Sequence, residues 1–221
     1  AYDQLIHDIA LQNISMLFAI DRAGIVGADG ATHSGNFDIS YLRCIPNIII
    51  MTPSNENECY QMLKTGFNYN GICVVRFPRG HGIGIQINKK LNFLPIGKSE
   101  KVRKGKNIVI LAFGPLLKTA LEVAEELNAT LIDMKFVKPI DEGMIKKCVT
   151  NHKVVVTIED NTILGGAGSA VLEVISKYNL KCKTLCLGIP DRFVEHGTQE
   201  EIYKLCGLDK DSIIKKIVKQ L

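Results

Sequence analysis

The chain has 221 residues, 46% hydrophobic and 23% charged, with a formal net charge of +4 from 27 basic and 23 acidic residues. That balance excludes a disordered chain and fits one large domain or two small ones, and no run reaches the roughly 18–20 consecutive apolar residues of a membrane span. The charge is mild and dispersed: Lys98–Lys106 and Asp209–Lys219 mix Lys with Glu or Asp and carry no interleaved aromatics, so they read as solvated faces and not as a nucleic-acid footprint.

In chain order, Leu5, Ile6, Ile9 and Ala10 recur at helical spacing, so residues 2–12 read as a helix. Met16–Ile20 is a short apolar strand, and a glycine-rich loop of about 14 residues (Asp21–Gly35) follows it. Ile48–Met51 is a second strand, closed by Thr52-Pro53, after which Ser54 is expected to cap a helix with Cys59, Met62 and Leu63 on its apolar face. Ile72–Phe77 is a third strand, ending in Pro78-Arg79-Gly80. Strand, helix, strand at this spacing predicts a parallel sheet with crossover helices. The Gly- and Pro-punctuated stretch 81–97 reads as a linker, dividing a first domain (1–80) from a second (98–221). There, strands are expected at Ile108–Phe113, Thr130–Phe136, Val154–Ile158 and Thr184–Leu187. Helices are expected from Gly114-Pro115 onward and over 141–150, 166–178, Gln199–Leu205 and Ser212–Leu221. This is a small three-layer α/β unit.

Seven scattered cysteines lack paired CxxC spacing, so buried free thiols in a reducing compartment are expected, and neither disulfides nor a structural zinc. The chain begins with Ala1 inside an amphipathic segment. It therefore reads as a piece of a longer chain whose first domain is truncated.

Ligands of open parallel sheets bind beyond the carboxyl ends of the strands, which singles out Asp21–Gly35, Arg76–Gly80 and Glu159–Ser169. The first loop carries Arg22, Asp29 and His33 among glycines that let a backbone approach a ligand. Arg79 ends the third strand and is expected to converge with Arg22 on one anion, since guanidinium forks suit phosphate. His7 reads as a packed or exposed helix residue, His152 as a ring at a helix end, and His196-Gly197-Thr198 as a helix start with a Thr198/Glu201 capping box. Gly165-Gly166-Ala167-Gly168 lacks the last glycine of a dinucleotide fingerprint, and close helix packing accounts for its small residues. On residue chemistry alone, the chain is an α/β protein binding a phosphorylated small molecule.

Longer strings carry a resemblance. Ala1–Gln4, His7-Asp8, Phe18–Gly30 (FAIDRAGIVGADG), Thr32-His33, Phe37–Pro46, Met51–Ser54, Glu56–Cys59, Arg76–Gly80, Gly165–Ser169 and His196–Thr198 together resemble the 1-deoxy-D-xylulose-5-phosphate synthase family of the transketolase group, over the full length. The resemblance implies a thiamine diphosphate- and Mg²⁺-dependent transferase. That enzyme decarboxylates pyruvate and joins the two-carbon unit to glyceraldehyde 3-phosphate, feeding isoprenoid, thiamine and pyridoxal synthesis. It also implies that 1–80 is the latter half of a pyrimidine-binding domain and 98–221 a transketolase C-terminal domain. In the family the matching arginines, here Arg22 and Arg79, bind the acceptor's phosphate. The matching aspartate and histidine, here Asp29 and His33, line the reacting carbons, where a carbanion and an aldehyde oxygen each need a positioned proton donor.

The family's catalytic glutamate and its magnesium–diphosphate motif fall before Ala1. This polypeptide is therefore expected to hold no cofactor residues or metal of its own and to be inactive alone. The remaining N-terminal segment is its expected partner, in a homodimer, in a bacterial cytoplasm or a plastid-type organelle. Two alternatives stand beside this: a non-catalytic scaffold or dimerisation module, and another transketolase-group enzyme such as a pyruvate dehydrogenase beta subunit.

Overall fold

The structure is a computed structural model and describes residues 1–88, 90 and 93–221; of the expected linker 81–97, residues 89, 91 and 92 lie outside the described residues. Strands β1 (Met16–Ile20), β2 (Ile48–Met51) and β3 (Ile72–Arg76) pair in parallel in the order β1-β3-β2. The second sheet holds β4 (Glu100–Arg103), β5 (Ile108–Phe113), β6 (Thr130–Asp133), β8 (Val154–Thr162) and β9 (Lys183–Ile189) in the order β4-β6-β5-β8-β9, parallel except for the edge strand β4. The remaining strand, β7 (Phe136–Lys138), leaves the second sheet altogether. It pairs antiparallel with β2, Met51 opposite Phe136, and so becomes the fourth strand of the first sheet.

The expected single strand over 130–136 therefore breaks in two. Lys135 adopts a left-handed backbone (φ 58°), which ends β6 and turns the chain onto β2, where the Thr52 amide donates to Lys135 O at 2.8 Å. β4 has alternation too weak to be read as a strand, since Glu100, Lys101 and Val102 are all exposed at the sheet edge.

The helices are α1 (Tyr2–Gln4, continued as a π-wound stretch Leu5–Ala10), α2 (Asp38–Leu42), α3 (Glu56–Phe67), α4 (Leu117–Glu126), α5 (Glu142–Asn151), α6 (Ala167–Lys177), α7 (Gln199–Cys206) and α8 (Lys210–Val218), in the expected order except for α2, a short helix not anticipated from the sequence. Asn55, one residue after Ser54, is the cap of α3, its side chain accepting from the Glu58 amide at 3.0 Å. Ser54 instead turns its hydroxyl to Glu58 Oε2 at 2.8 Å.

Alternation along the central strands sets the layers. Ile48, Ile50, Ile72 and Val74 of the first sheet, and Val109, Leu111 and Phe113 of the second, point into one shared core, together with Leu5, Leu42, Ile145 and Val171 from α1, α2, α5 and α6. Ile49, Met51, Cys73 and Val75 face the other way, against Met62 of α3. Ile108, Ile110 and Ala112 pack under α4, α7 and α8 through Ala120, Ile202 and Ile213. The two sheets thus enclose a common helical layer, which brings the carboxyl end of the first sheet against the second.

Candidate functional site

β1 and β3 are neighbours in register, Ile20 beside Arg76, so the loops that follow them leave the sheet side by side. The Phe77 amide donates to Ile20 O at 2.9 Å and the Ala23 amide to Phe77 O at 3.0 Å, which fixes Arg22 and Arg79 at the same end of adjacent strands. The glycine-rich loop closes on itself at its neck. The Gly24 amide donates to Gly35 O and the Gly35 amide to Arg22 O, each at 2.9 Å. Arg22 has φ 58° and Gly24 φ 70°, a double left-handed turn that lifts the loop off the strand.

Of the four expected site residues, the structure brings two into contact: Arg79 forms an ion pair with Asp29 across the loop. Arg22 and His33 are exposed at the same sheet end. Among the described residues the Arg22 guanidinium has no hydrogen-bond or ion-pair partner, and His33 is joined to Thr32 Oγ1 at 3.0 Å through Nδ1. An unpaired guanidinium beside one held by a carboxylate suits an anion that adds charge at Arg22 and competes for Arg79. The tip of the loop leans on the second domain. Gln199 donates to Ile25 O at 2.9 Å, and Gly27 packs so closely on Gly197 O that a Cβ would sit 2.9 Å from it. Arg79 also lines a cavity of about 530 Å³ between α3 and the starts of α4 and α7, walled by Leu63, Phe77, Leu116 and Gln199.

Beneath the loop lies a group that sequence reasoning missed. Arg76, only 1% exposed, donates Nε to Asp38 at 2.8 Å, one terminal nitrogen to Asp160 at 2.5 Å and the other to Gly35 O at 3.2 Å. Burial works to lower the Arg76 pKa, but Asp160 and Asp38 together carry it above its ordinary value. Burial raises the Asp160 carboxyl while Arg76 pulls it back. The only sequence signal was a charged residue inside an otherwise apolar strand, Ile72–Arg76.

Glu159–Ser169 also differs from a ligand point. Both Glu159 oxygens already accept from the first amides of α6, Ala167 at 2.7 Å and Gly168 at 2.8 Å, so the chain's own carboxyl group closes that helix N-terminus. Burial pushes the Glu159 carboxyl up to about 8 against those two donors. A smaller cleft of about 270 Å³ runs under Arg43 and Glu173, away from the strand ends, and its charges pair internally, Arg43 with Glu173 at 2.5 Å and Lys177 with Glu142 at 3.0 Å.

His196-Gly197-Thr198 does form a capping box, with Thr198 and Glu201 bonded reciprocally. His152 bonds Cys148 O and Thr130 Oγ1, each at 2.8 Å, at the end of α5, and His7 lies 3.5 Å from Asp3 on the exposed face of α1. All seven cysteines are free, but only Cys73, Cys148 and Cys206 are buried as expected, while Cys59, Cys182 and Cys186 are half-buried and Cys44 is exposed.

Comparison with known proteins adds three findings. Residues 1–82 match the family model "Transketolase, pyrimidine binding domain" and residues 97–213 the model "Transketolase, C-terminal domain". Curated relatives named 1-deoxy-D-xylulose-5-phosphate synthase align along the chain: one from Psychromonas ingrahamii at 59% identity, covering 99% of this chain, and one from Methylobacillus flagellatus at 54%, covering all of it. The chain spans about 35% of the first relative's length and 36% of the second's. Among solved structures, a split-gene transketolase described as an inactive beta4 tetramer superposes with a TM-score of 0.87 at 26% identity, covering 100% of this chain and 71% of the other. Transketolase from Campylobacter jejuni shares the fold with a TM-score of 0.69 at 19% identity, over 95% of this chain and 32% of the other.

Proposed function

The chain belongs to the transketolase family, and we propose that it is the acceptor-binding part of a 1-deoxy-D-xylulose-5-phosphate synthase. In this reading the whole enzyme condenses pyruvate, with decarboxylation, and glyceraldehyde 3-phosphate. The observation that carries it is the pair of guanidiniums at the ends of adjacent strands, Arg22 without a partner among the described residues and Arg79 held by Asp29. Arg22 and Arg79 grip the aldehyde's phosphate as two forks, each able to give parallel N–H donors to phosphate oxygens. Taking up the phosphate competes with Asp29 for Arg79, which frees the Asp29 carboxylate to face the sugar. Asp29 and His33 then line the reacting carbons, where a carboxyl and an imidazole side chain are placed to pass a proton to or from the substrate.

Kinship to the synthases implies thiamine diphosphate for the whole enzyme, and in this reading the residues that hold its diphosphate and Mg²⁺ lie largely in the portion of the relatives that this chain does not match. We divide the chain near 81–97 into a pyrimidine-binding unit and a C-terminal unit, a reading that the family matches over 1–82 and 97–213 support. We place the whole enzyme in a bacterial cytoplasm; the bacterial origin of the relatives supports the bacterial part of that reading.

The test is reconstitution. Mixing the chain with the N-terminal portion of the Psychromonas ingrahamii relative should restore pyruvate-dependent consumption of glyceraldehyde 3-phosphate. Arg22→Ala or Arg79→Ala should each raise the KM for the aldehyde phosphate by roughly tenfold or more. Unchanged kinetics in both variants would refute the reading. Alone, the chain should show no turnover and no micromolar calorimetric titration with thiamine diphosphate.

A second reading has one observation in its favour: the split-gene relative with a TM-score of 0.87 is described as an inactive beta4 tetramer. The chain by itself is then a self-associating scaffold. Sedimentation of the isolated chain, combined with failure of every reconstitution, would select it.

A further inference from the structure

We infer that Asp160, on a strand of the second sheet, is a positioning residue for the loop of the first domain that carries Arg22, Asp29 and His33. The inference rests on the reading of that loop as the acceptor-phosphate loop. Every partner of the buried triad lies at the loop's neck or its exit. Arg76 reaches from Asp160 to Gly35 O, and Gly35 O also accepts the Gly24 amide. Asp38 begins α2, the helix into which the loop runs. The other Asp160 oxygen, Oδ2, is fully buried with no hydrogen-bond partner among the described residues. It lies against Gly24, where a Cβ would come 2.5 Å from Oδ2 and 2.9 Å from the Asp160 main-chain oxygen.

The residues after Asp160 extend the same contact. Asn161 Oδ1 accepts from the Ile39 amide at 3.2 Å and its Nδ2 donates to Ser40 at 2.9 Å. The Thr162 amide donates to Asn36 O at 2.7 Å, and Leu164 O accepts from Ser40 at 2.8 Å. One stretch of β8 and its exit thus fixes both sides of the neck, Gly24 on one and Gly35–Ser40 on the other. A buried ion triad is a poor route to stability, because apolar side chains of similar volume hold a fold as well or better. Its value lies in geometry: fixed distances and one permitted register for the neck.

Asp160→Asn keeps the shape and removes the charge. In the full chain, hydrogen exchange of the amides of residues 23–36 should quicken by about tenfold or more, while those of 108–113 and 154–158 stay within about twofold of the parent. The affinity for D-glyceraldehyde 3-phosphate, read by titration calorimetry, should fall by about tenfold. Should that variant fold poorly, the charge-free triple substitution Asp38→Asn/Arg76→Met/Asp160→Asn leaves no buried ion and should loosen the same amides. Uniformly faster exchange in both sheets overturns the inference, because a structural role alone produces it, and so does unchanged exchange in 23–36. A loosened loop in a chain whose parent does not bind the aldehyde phosphate supports the positioning role of Asp160 and overturns only the reading of the loop.

Discussion

Replacing Arg76 by methionine isolates what the buried cation does for the fold. Its side chain and that of Asp160 are fully inaccessible and that of Asp38 is 2% exposed, so the substitution strands two carboxylates in the interior. Removing one member of a buried ion pair typically costs about 3–5 kcal/mol. Protonation gives an independent handle. A carboxyl with an unfolded-state pKa of about 3.9 that must fold neutral costs about 1.4 kcal/mol for each pH unit above that value, so about 4 kcal/mol at pH 7 and about 1.5 kcal/mol at pH 5. The sign follows from linkage. Without Arg76 the folded-state carboxyl values lie above the unfolded one, so the variant keeps its stability at low pH and loses it as pH rises. Urea unfolding of Arg76→Met at pH 5 and pH 7 should therefore show a deficit against the parent that shrinks by about 2.7 kcal/mol for one proton bound on acidification. Adding Asp38→Asn and Asp160→Asn to Arg76→Met should abolish that pH dependence. A deficit below about 1 kcal/mol, or one that is equal at the two pH values, would refute the reasoning.

Three further outcomes follow. Burial raises the Glu159 carboxyl to about 8, so this group's contribution is full below about 4.3, the unfolded value, and is lost as pH rises through 8. Glu159→Gln should flatten that part of the slope between pH 5 and 8.5 in chemical denaturation, and an unchanged slope argues against the assignment. Thr198→Ala removes the capping-box hydroxyl of α7 and should cost about 1 kcal/mol, or about 2–4 °C in thermal midpoint by calorimetry. Gly24→Ala forces a Cβ to 2.5 Å from Asp160 at a φ of 70° and should destabilise by more than Thr198→Ala; equal or smaller loss would mean the neck is not tightly held against β8.

The parts of the fold that were legible in sequence share one property: the signal lay in neighbouring residues. β2, β3 and β5 are apolar runs bounded by Pro, Gly or Asn, and α4 and α8 show helical spacing, so local pattern sufficed. β7 could not be read this way. Phe136–Lys138 is continuous with an apolar strand, and only the left-handed Lys135 and the exposed edge of β2 send it to the other sheet. The same limit applies to the site. Arg22, Asp29, His33 and Arg79 lie on glycine loops at strand ends, where chemistry is expected. Arg76 and Asp160 lie inside strands, 84 residues apart, and no periodicity links them. Glu159 looked like a ligand residue because its role, closing the N-terminus of α6, is met by backbone amides that leave no mark in sequence.

The seam between the sheets carries a second buried ionic group, and its position bears on how the site is held. Lys135 Nζ lies 2.9 Å from Glu58 of α3 and 2.6 Å from Glu100 of β4. Burial tends to lower the Lys135 pKa, but those carboxylates keep it above its ordinary value, so the ammonium stays charged throughout the physiological range. This clasp sits at the carboxyl end of β2, as the Arg76 triad sits at the carboxyl end of β3, and each joins the first sheet to residues after position 98. Strand ends followed by long loops fray first, because their last ladder bonds have no neighbour beyond them. Here the carboxyl ends of β2 and β3 are both tied to residues of the second domain by charges with fixed partners, and β7 adds backbone pairing beside β2. If Arg22 and Arg79 act together as proposed, the two loops that carry them gain from that arrangement, since any slip of β3 relative to β1 would move Arg79 without moving Arg22.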